Sequence, residues 1–309
     1  MLNGLLVVNK PKNIGSHDLV YKLRRKLKDE IGRDIKIGHT GTLDPFAEGI
    51  LVLCFGNATK VTEYLQGKDK VYIAELRLGL QTTSDDITGE IVAEKAVDES
   101  VFLQLENVVK KYIGTIEQKP PLYSAISVNG KRLYKYARAN KSVKIPTRTV
   151  FVKSLEILEL DKKNNLAKLK IECGSGTYIR ALARDIGEDL GVGGTLQNLQ
   201  RTNVGRFCLA DSIQYSDDMA DFTEENLQKK LISVEQIFEK MDEIKLTEIE
   251  FKKFVNGNIK FLNEDDKFNE HKIDGKLMTV MWQKNREKIK AVVKYSDDKF
   301  RTEYFFVEP

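Results

Sequence analysis

The chain has 309 residues, of which 41% are apolar and 31% charged, and its formal net charge is +4. This composition supports a buried core and suggests two domains, whereas so small a net charge does not by itself indicate a nucleic-acid partner. No apolar run reaches the roughly 20 residues of a membrane span and no secretory signal is recognisable, so a cytoplasmic protein with no membrane partner is expected. The three cysteines, Cys54, Cys173 and Cys208, form no paired motif and are expected to pack as small hydrophobes.

The first elements are a strand and a basic helix. Residues 4–9 (GLLVVN) predict a short buried strand. Ser16 is expected to cap the helix that follows, in which Leu19, Leu23 and Leu27 form one apolar stripe. Five cations cover the rest of this helix: Lys22, Arg24, Arg25, Lys26 and Lys28.

A glycine-containing loop is predicted over residues 38–49, before the continuous apolar run 50–55, which is typical of a central strand. A short helix is predicted from Asn57. Residues 70–80 alternate strictly, which predicts a strand with Tyr72 on its apolar face.

The later elements mix helices and strands without regular alternation. The patterns predict helices over 99–113 and 177–190, strands over 149–160 and 166–173, and a turn at Asn129-Gly130. After about residue 232 a helix over 235–241 is followed by short strands and turns, with a small β-unit over 276–308. The interpretation is an α+β fold with a mixed, mainly antiparallel sheet, divided into domains 1–234 and 235–309.

Nucleotide and metal cofactors find no support in the sequence. It has no phosphate-binding Walker loop and no GxGxxG after a strand. His17, His39 and His271 do not have the spacing of metal ligands. We therefore expect no cofactor and no metal site.

Residues 118–155, which we call the basic segment, contain no Asp or Glu. The segment has nine cations: Lys119, Lys131, Arg132, Lys135, Arg138, Lys141, Lys144, Arg148 and Lys153. Tyr123, Tyr134 and Tyr136 lie among them. Basic groups neutralise phosphates and aromatic rings stack on unpaired bases, so the pattern indicates RNA binding. A solvated surface with core tyrosines is the alternative.

Three single residues have both a structural and a catalytic interpretation. Asp44 precedes Pro45 in a loop that can aim a carboxylate, but Asp before Pro also commonly begins a turn. Arg180 lies in the first turn of its predicted helix, where the helix dipole disfavours a cation. Either a carboxylate or a phosphate partner offsets that cost, or Arg180 is a plain surface arginine. Tyr72 is either a core residue or a stacking platform.

Together these blocks resemble a known family. They are Lys-Pro at 10–11 with Ser16, GHTGTLDPFAEGILVLCFGNATK (38–60), KVYIAELRLG (70–79), RLYKYAR (132–138) and CGSGTYIRALARDIGEDLG (173–191). In this order they resemble bacterial tRNA pseudouridine-55 synthases of the TruB family, over most of residues 4–206. Residues 246–258 more weakly resemble the small RNA-binding PUA domain. One departure is the loop 82–86, which reads TTSDD where the family often has T-D-T-x-D; it affects expected RNA contacts rather than the reaction.

The resemblance implies that one uridine in the T-loop of tRNA becomes pseudouridine, without cofactor, metal or protein partner, in an enzyme for which a monomer is favoured. It assigns catalysis to Asp44, Tyr72 and Arg180 and base flipping to His39. It places Tyr178 and Lys10 near the substrate, and the candidates for gripping tRNA are Arg132, Lys135 and Arg138.

Several alternatives stay open at this point. Asp44 attacks C1′ of the ribose or takes a proton from C2′. Two alternatives to a TruB-type enzyme are a dyskerin-type synthase that depends on a guide RNA and an RNA-binding or RNA-folding module without chemistry. Activity of the purified protein alone on an unmodified tRNA transcript tests the dyskerin-type alternative, and comparison of the wild type with Asp44→Asn tests the binding module.

Overall fold

The computed structural model describes residues 2–139, 141–282 and 285–306. In chain order the strands are β1 (Gly4–Lys10), β2 (Ile37–His39), β3 (Glu48–Phe55), β4 (Lys70–Leu78), β5 (Leu80–Thr82), β6 (Ile91–Glu94), β7 (Gly114–Gln118), β8 (Ser127–Val128), β9 (Lys131–Arg132), β10 (Arg148–Asp161), β11 (Leu166–Cys173), β12 (Gly194–Val204), β13 (Phe207–Cys208), β14 (Ile213–Gln214), β15 (Glu243–Leu246), β16 (Leu277–Trp282), β17 (Asn285–Ser296) and β18 (Lys299–Phe305).

The α-helices are α1 (Ser16–Ile31), α2 (Thr62–Gln66), α3 (Glu99–Lys110), α4 (Leu133–Arg138), α5 (Ile179–Asp189), α6 (Glu224–Lys230), α7 (Val234–Phe238), α8 (Glu248–Val255) and α9 (Phe261–Glu264). Short 3₁₀ helices span Gly56–Val61, Leu209–Asp211 and Asp266–His271. Among the described residues no helix is both long and apolar enough to cross a bilayer.

A large mixed sheet forms the centre of the molecule. Its strands run in the order β14-β1-β3-β12-β4-β11-β10-β7, with β2 paired to β3 and β13 to β12. Only the β1–β14 and β3–β12 pairings of this sheet are parallel. The prediction of an α+β fold with a mainly antiparallel sheet is confirmed.

The strict alternation of residues 70–78 becomes alternating burial along β4, with Tyr72 on the inner face. The stripe of Leu19, Leu23 and Leu27 on α1 is buried as predicted, but Ser16 is not the cap. Gly15 occupies the capping position without a side-chain hydrogen bond, and the hydroxyl of Ser16 bonds to Leu43 instead. Helix α1 is thus fastened to a loop far away in sequence.

The parallel pairing of β12 with β3 brings two backbones unusually close. Gly49 has a φ of 106°, and a Cβ there would lie 2.2 Å from the carbonyl oxygen of Arg201. Only glycine fits this position, because any side chain would push β12 away from β3. The contact fixes Arg201 beside the loop that precedes β3.

A separate four-stranded sheet, in the order β15-β16-β17-β18, follows in the C-terminal part. It confirms the predicted small β-rich unit. Its Val292 and Met281 pack with Leu5 and Val7 of β1 in one buried cluster, so it rests against the large sheet.

Helix α8 is a difference from prediction, since short strands and turns were expected there. Thr247 caps it by accepting from the backbone N–H of Glu250, whose carboxylate accepts from the N–H of Thr247. This reciprocal pair is a recognisable helix start. The predicted domain boundary after residue 234 falls within α7 and stays a prediction.

Candidate active site

Asp44 lies in the loop between β2 and β3. Its carbonyl oxygen accepts a hydrogen bond of 3.1 Å from the N–H of Ala47, so the turn expected of an Asp-Pro pair is present. The carboxylate does not stabilise that turn, because it pairs with Arg180 across 136 positions of sequence. The backbone makes the turn and leaves the carboxylate available.

Ser16 ties this loop to the first turn of α1. Its hydroxyl donates to the carbonyl of Leu43 and accepts from the N–H of Leu43, both at 2.8 Å. A single buried side chain thereby satisfies both backbone groups of the residue before Asp44. The position of Asp44 along the chain is held by a tertiary contact and not by local preference alone.

Two buried cations donate hydrogen bonds to backbone carbonyls in and around the loop. The ammonium of Lys10 donates to the carbonyls of Ala47 at 2.5 Å, Pro11 at 2.8 Å and Ile14 at 2.9 Å. Arg201 donates from Nη2 to the carbonyl of Gly41 at 3.0 Å and from Nε to that of Ile50 at 2.7 Å. These charge-assisted bonds make the loop a rigid support for its carboxylate.

The guanidinium of Arg180 is the centre of the site. Its Nε lies 3.0 Å and its Nη2 3.4 Å from the two carboxylate oxygens of Asp44. Nη1 donates to the carbonyl of Ser84 at 3.0 Å, and Nη2 to that of Tyr123 at 2.9 Å. With only 5% of its surface exposed, Arg180 is not a plain surface arginine, and it joins three segments of the chain.

Asp86 is a second carboxylate on the same guanidinium. Its Oδ2 lies 3.3 Å from Nη1 of Arg180. Its Oδ1 accepts from the hydroxyl of Ser84 at 2.8 Å and from the N–H of Thr88 at 3.0 Å. Two carboxylates near the N-terminus of α5 offset the unfavourable placement of a cation there. The loop 82–86 therefore supports Arg180, a role that sequence reasoning did not give it.

A cavity of about 660 Å³ opens in front of Asp44. Tyr72, Tyr178, Arg180 and Arg201 are among its walls. This volume lies in the range of sites for small ligands, so one nucleotide base fits. A neighbouring cavity of about 1030 Å³ shares Asp44, Tyr123 and Arg180 with it. Asp44 therefore lies where two recesses meet.

Burial and neighbouring charges have opposing effects on the pKa values of groups in the site. Burial raises the pKa of Asp44, while the guanidinium of Arg180 opposes the rise and the carboxylate of Asp86 adds to it. With 34% of its side chain exposed, Asp44 still faces the open cavity. Burial also lowers the pKa of Lys10 and of Lys70 to about 8. Arg180 thus favours the ionised form of a carboxylate that burial alone would protonate more readily.

Tyr72 and Tyr178 offer aromatic surface to the cavity. Burial raises the pKa of the Tyr72 hydroxyl, so the ring presents a neutral phenol. The backbone of Tyr178 is pinned by Gln118, whose side chain accepts from its N–H at 2.8 Å and donates to its carbonyl at 3.0 Å. Tyr72 is both a core residue and part of the cavity wall.

The basic segment forms another part of the wall. Tyr123, Ser124 and Tyr134 line the first cavity, and Tyr136 and Lys141 line the second. The cations of the segment are largely exposed: Lys119, Arg132, Lys135, Lys141, Lys144, Arg148 and Lys153. The Asn129-Gly130 turn joins β8 to β9, with φ values of 50° and 73° that suit the predicted hairpin turn.

The predicted site residues Lys10, His39 and Arg132 are not among the described residues that line the first cavity. Lys10 is fully buried and does not line the cavity, and its expected proximity to the substrate stays a prediction. His39 lies behind His17, with its Nε2 3.4 Å from His17 Nδ1, and burial lowers its pKa to about 4. Arg132 donates to the carbonyl of Ala125 in its own segment. The side chain of Arg138 lies outside the described residues.

Sequence reasoning missed several residues of the site. His17 and Arg201 line the cavity, and Ser16, Arg201 and Asp86 hold it in shape. One signal was available for Arg201, which takes an inward position two residues after buried Leu199 in β12. A buried cation on an apolar strand face requires partners, and that marks a functional candidate.

Comparisons with known proteins identify the family of the chain. Residues 24–179 match the description "TruB family pseudouridylate synthase (N terminal domain)", and residues 180–239 match "tRNA pseudouridylate synthase B C-terminal domain". The chain is 39% identical over 300 residues to curated proteins named tRNA pseudouridine synthase B from Staphylococcus aureus strains MSSA476 and JH9, with 94% of both chains covered. The chain belongs to the TruB family of pseudouridylate synthases. It is a pseudouridine synthase that modifies tRNA.

Solved structures share the fold. A chain in "Crystal Structure of a Cbf5-Nop10-Gar1 Complex" superposes with a TM-score of 0.63 at 23% identity, covering 100% of this chain and 84% of that one. A chain in "Structure of H/ACA RNP bound to a substrate RNA containing 2'-deoxyuridine" gives 0.63 at 21% identity, covering 99% and 86%.

Proposed function

We propose that this enzyme converts uridine 55 in the T-loop of tRNA to pseudouridine, with Asp44 as the catalytic carboxylate. The observation that supports this most directly is the two-point contact of Arg180 with Asp44 at the mouth of a cavity large enough for one base. The relatives named tRNA pseudouridine synthase B favour a tRNA substrate. The T-loop position rests on the family resemblance.

The proposed reaction is an isomerisation and needs no co-substrate. The bond between N1 of uracil and C1′ of ribose breaks, the base turns, and C5 bonds to C1′. C5 then loses its proton and N1 gains one, so atoms and electrons balance. Asp44 acts either by attack on C1′ or by removal of a proton from C2′. Both routes require an ionised carboxylate in a fixed position, which Arg180 and the anchored loop provide.

The cavity suits a base turned out of a folded loop. A glycosidic bond inside such a loop is accessible only after the nucleotide is extruded. Tyr72 then stacks on the uracil, while His17 and His39 border the space that the base leaves. Because the two imidazoles meet edge to face, with centroids 4.9 Å apart, they act as one unit in this role.

The basic segment grips the tRNA arm in this proposal. Its exposed cations surround the tyrosines that line both cavities. Lys135 and Arg132 are the candidates beside the hairpin of β8 and β9. Neutralising phosphates there positions the arm without reading its sequence.

The decisive experiment compares Asp44→Asn with the wild type on an unmodified tRNA transcript. We expect near-normal tRNA affinity and a loss of at least about 1000-fold in the single-turnover rate constant, since the change removes a reactive charge but little volume. Asp217→Asn, which removes an exposed carboxylate away from both cavities, is the matched control and should retain full activity.

Several outcomes contradict the proposal. Wild-type activity in Asp44→Asn excludes its catalytic role, and tRNA binding without pseudouridine in the wild type favours a binding module. Activity that appears only with added guide RNA and partner proteins favours the dyskerin-type alternative. Mapping the product position tests the T-loop assignment, and analytical ultracentrifugation tests the monomer.

A further inference from the structure

One face of helix α1 is basic and exposed to solvent. His17, Tyr21, Arg24, Arg25 and Lys28, which we call the α1 strip, are all exposed. At 3.6 residues per turn these five positions fall within about 100° of the helix circumference. The opposite face, with Leu19, Leu23 and Leu27, is buried in the core, so the strip points outward.

The charges of the strip are largely free to meet a ligand. Within the described part of the chain, Arg25 has no hydrogen bond or ion pair, and Lys28 pairs only with Asp34, which is 85% exposed on its side chain. An exposed pair of that kind is weak and can be exchanged for a phosphate. Asp18 and Asp29 lie at the edge of the strip and leave its centre without an acid.

Tyr21 adds an aromatic surface between the cations. Its side chain is 67% exposed, which is unusual for a residue with a large apolar ring. Arg24 donates from one nitrogen to the carbonyl of Ile37, which holds its guanidinium at the helix surface and leaves its other donors available. Cations beside an exposed ring are the combination that binds single-stranded nucleic acid.

The strip is continuous with the active site. His17 lies at its N-terminal end and lines the cavity in front of Asp44. From His17 to Lys28 the helix rises about 16 Å, a span of a few nucleotides. A strand that leaves the cavity past His17 therefore meets Tyr21, Arg25 and Lys28 in turn.

We propose that the α1 strip is a second tRNA contact, which binds the ribose-phosphate backbone of the segment that leaves the catalytic cavity. This inference rests on the tRNA-modifying activity but not on the identity of the target uridine. The strip is separate from the basic segment in sequence and belongs to a different element. Its cations hold the phosphates, and Tyr21 stacks on one exposed base.

The test compares two double variants on the same helix. Arg25→Gln with Lys28→Gln removes two charges from the strip, whereas Lys22→Gln with Lys26→Gln removes two charges from beyond its edge. Both lower the net charge equally. Binding of unmodified tRNA is measured as a function of salt, together with the single-turnover rate constant at saturating tRNA and the melting temperature.

For the strip variant we expect a Kd about 10-fold higher at moderate salt, and a slope of log K against log salt smaller in magnitude by about 1.4 to 1.8. The saturated rate constant and the melting temperature should not change, since neither residue touches Asp44 or the core. The control variant should bind like the wild type. Tyr21→Leu should weaken binding about fivefold without changing the salt slope, because stacking involves no phosphate.

The proposal fails if the strip and control variants bind alike, or if the salt slope of the strip variant equals that of the wild type. A lower saturated rate constant with unchanged Kd would also overturn it, since the strip would then act on chemistry. These outcomes do not depend on which uridine is the target. The tRNA affinities of the strip variant and the control variant would differ in the same way if the enzyme modified another uridine.

Discussion

The loop that carries Asp44 and the basic segment border the same cavity but are held in opposite ways. The loop is fixed by Ser16, Lys10 and Arg201, all of them almost fully buried and bonded to its backbone. The cations of the basic segment are largely exposed to solvent, although strand β10, which begins in the segment, is paired on both sides in the large sheet. A rigid support suits a group that must meet one atom, while an exposed cationic surface suits a large polyanion. Changes in the loop should therefore lower kcat, and changes in the segment should raise KM.

After Asp44→Asn, the largest effect is expected for Arg180→Lys. Lysine keeps the charge but loses the planar fork that reaches Asp44 at two points and also the carbonyls of Ser84 and Tyr123. We expect kcat to fall at least about 100-fold, with KM for tRNA within about threefold of the wild type. Steady-state kinetics measure the split, and a variant that retains its kcat contradicts the paired arrangement.

A smaller effect, with a distinct signature in pH, is expected for Asp86→Asn. Weakening one charge-assisted contact of Arg180 should lower kcat about 10-fold. The carboxylate of Asp86 raises the pKa of Asp44, so its removal lowers that pKa and the ionised form persists to more acidic pH. The acid limb of the rate profile should therefore move to lower pH. A limb that stays in place or moves to higher pH shows that the two carboxylates are not coupled in this way.

Much of the framework follows from the sequence, and the residues that complete the site do not. A continuous apolar run predicted β3, strict alternation predicted β4 and a leucine stripe predicted α1, because local patterns report which residues are buried. The place of Arg180 in the first turn of a helix made a carboxylate partner one of three possibilities, and the structure places Asp44 and Asp86 beside it. The partner of Ser16 is Leu43 and that of Asp86 is Arg180, and such contacts depend on how strands are ordered in space. Local rules favoured a helix cap for Ser16, and the family resemblance associated the 82–86 loop with RNA contacts.

The Ser16→Ala variant tests whether the loop that carries Asp44 must be rigid, without changing a charged group. The change leaves the N–H and the carbonyl of Leu43 without their buried partner and should destabilise the fold by about 2 kcal/mol. Asp44 then loses one of its restraints, and we expect kcat to fall about fivefold with unchanged tRNA affinity. Denaturant unfolding and single-turnover kinetics measure the two effects. Full activity despite the expected loss of stability would show that Lys10 and Arg201 are sufficient to hold the loop.

An effect of similar size, but on KM, is expected on the exposed side, for Lys135→Gln with Lys144→Gln in the basic segment. Two lost phosphate contacts should raise KM for tRNA about fivefold and reduce the salt slope of binding by about 1.4 to 1.8, while kcat stays unchanged. Lys163→Gln with Lys230→Gln removes the same charge from exposed positions outside both cavities and is the control. If the segment variant instead loses kcat at saturating tRNA, its cations order the cavity wall around Tyr123 and Tyr134. The contrast between a rigid loop that performs chemistry and a solvated surface that binds RNA would then be wrong.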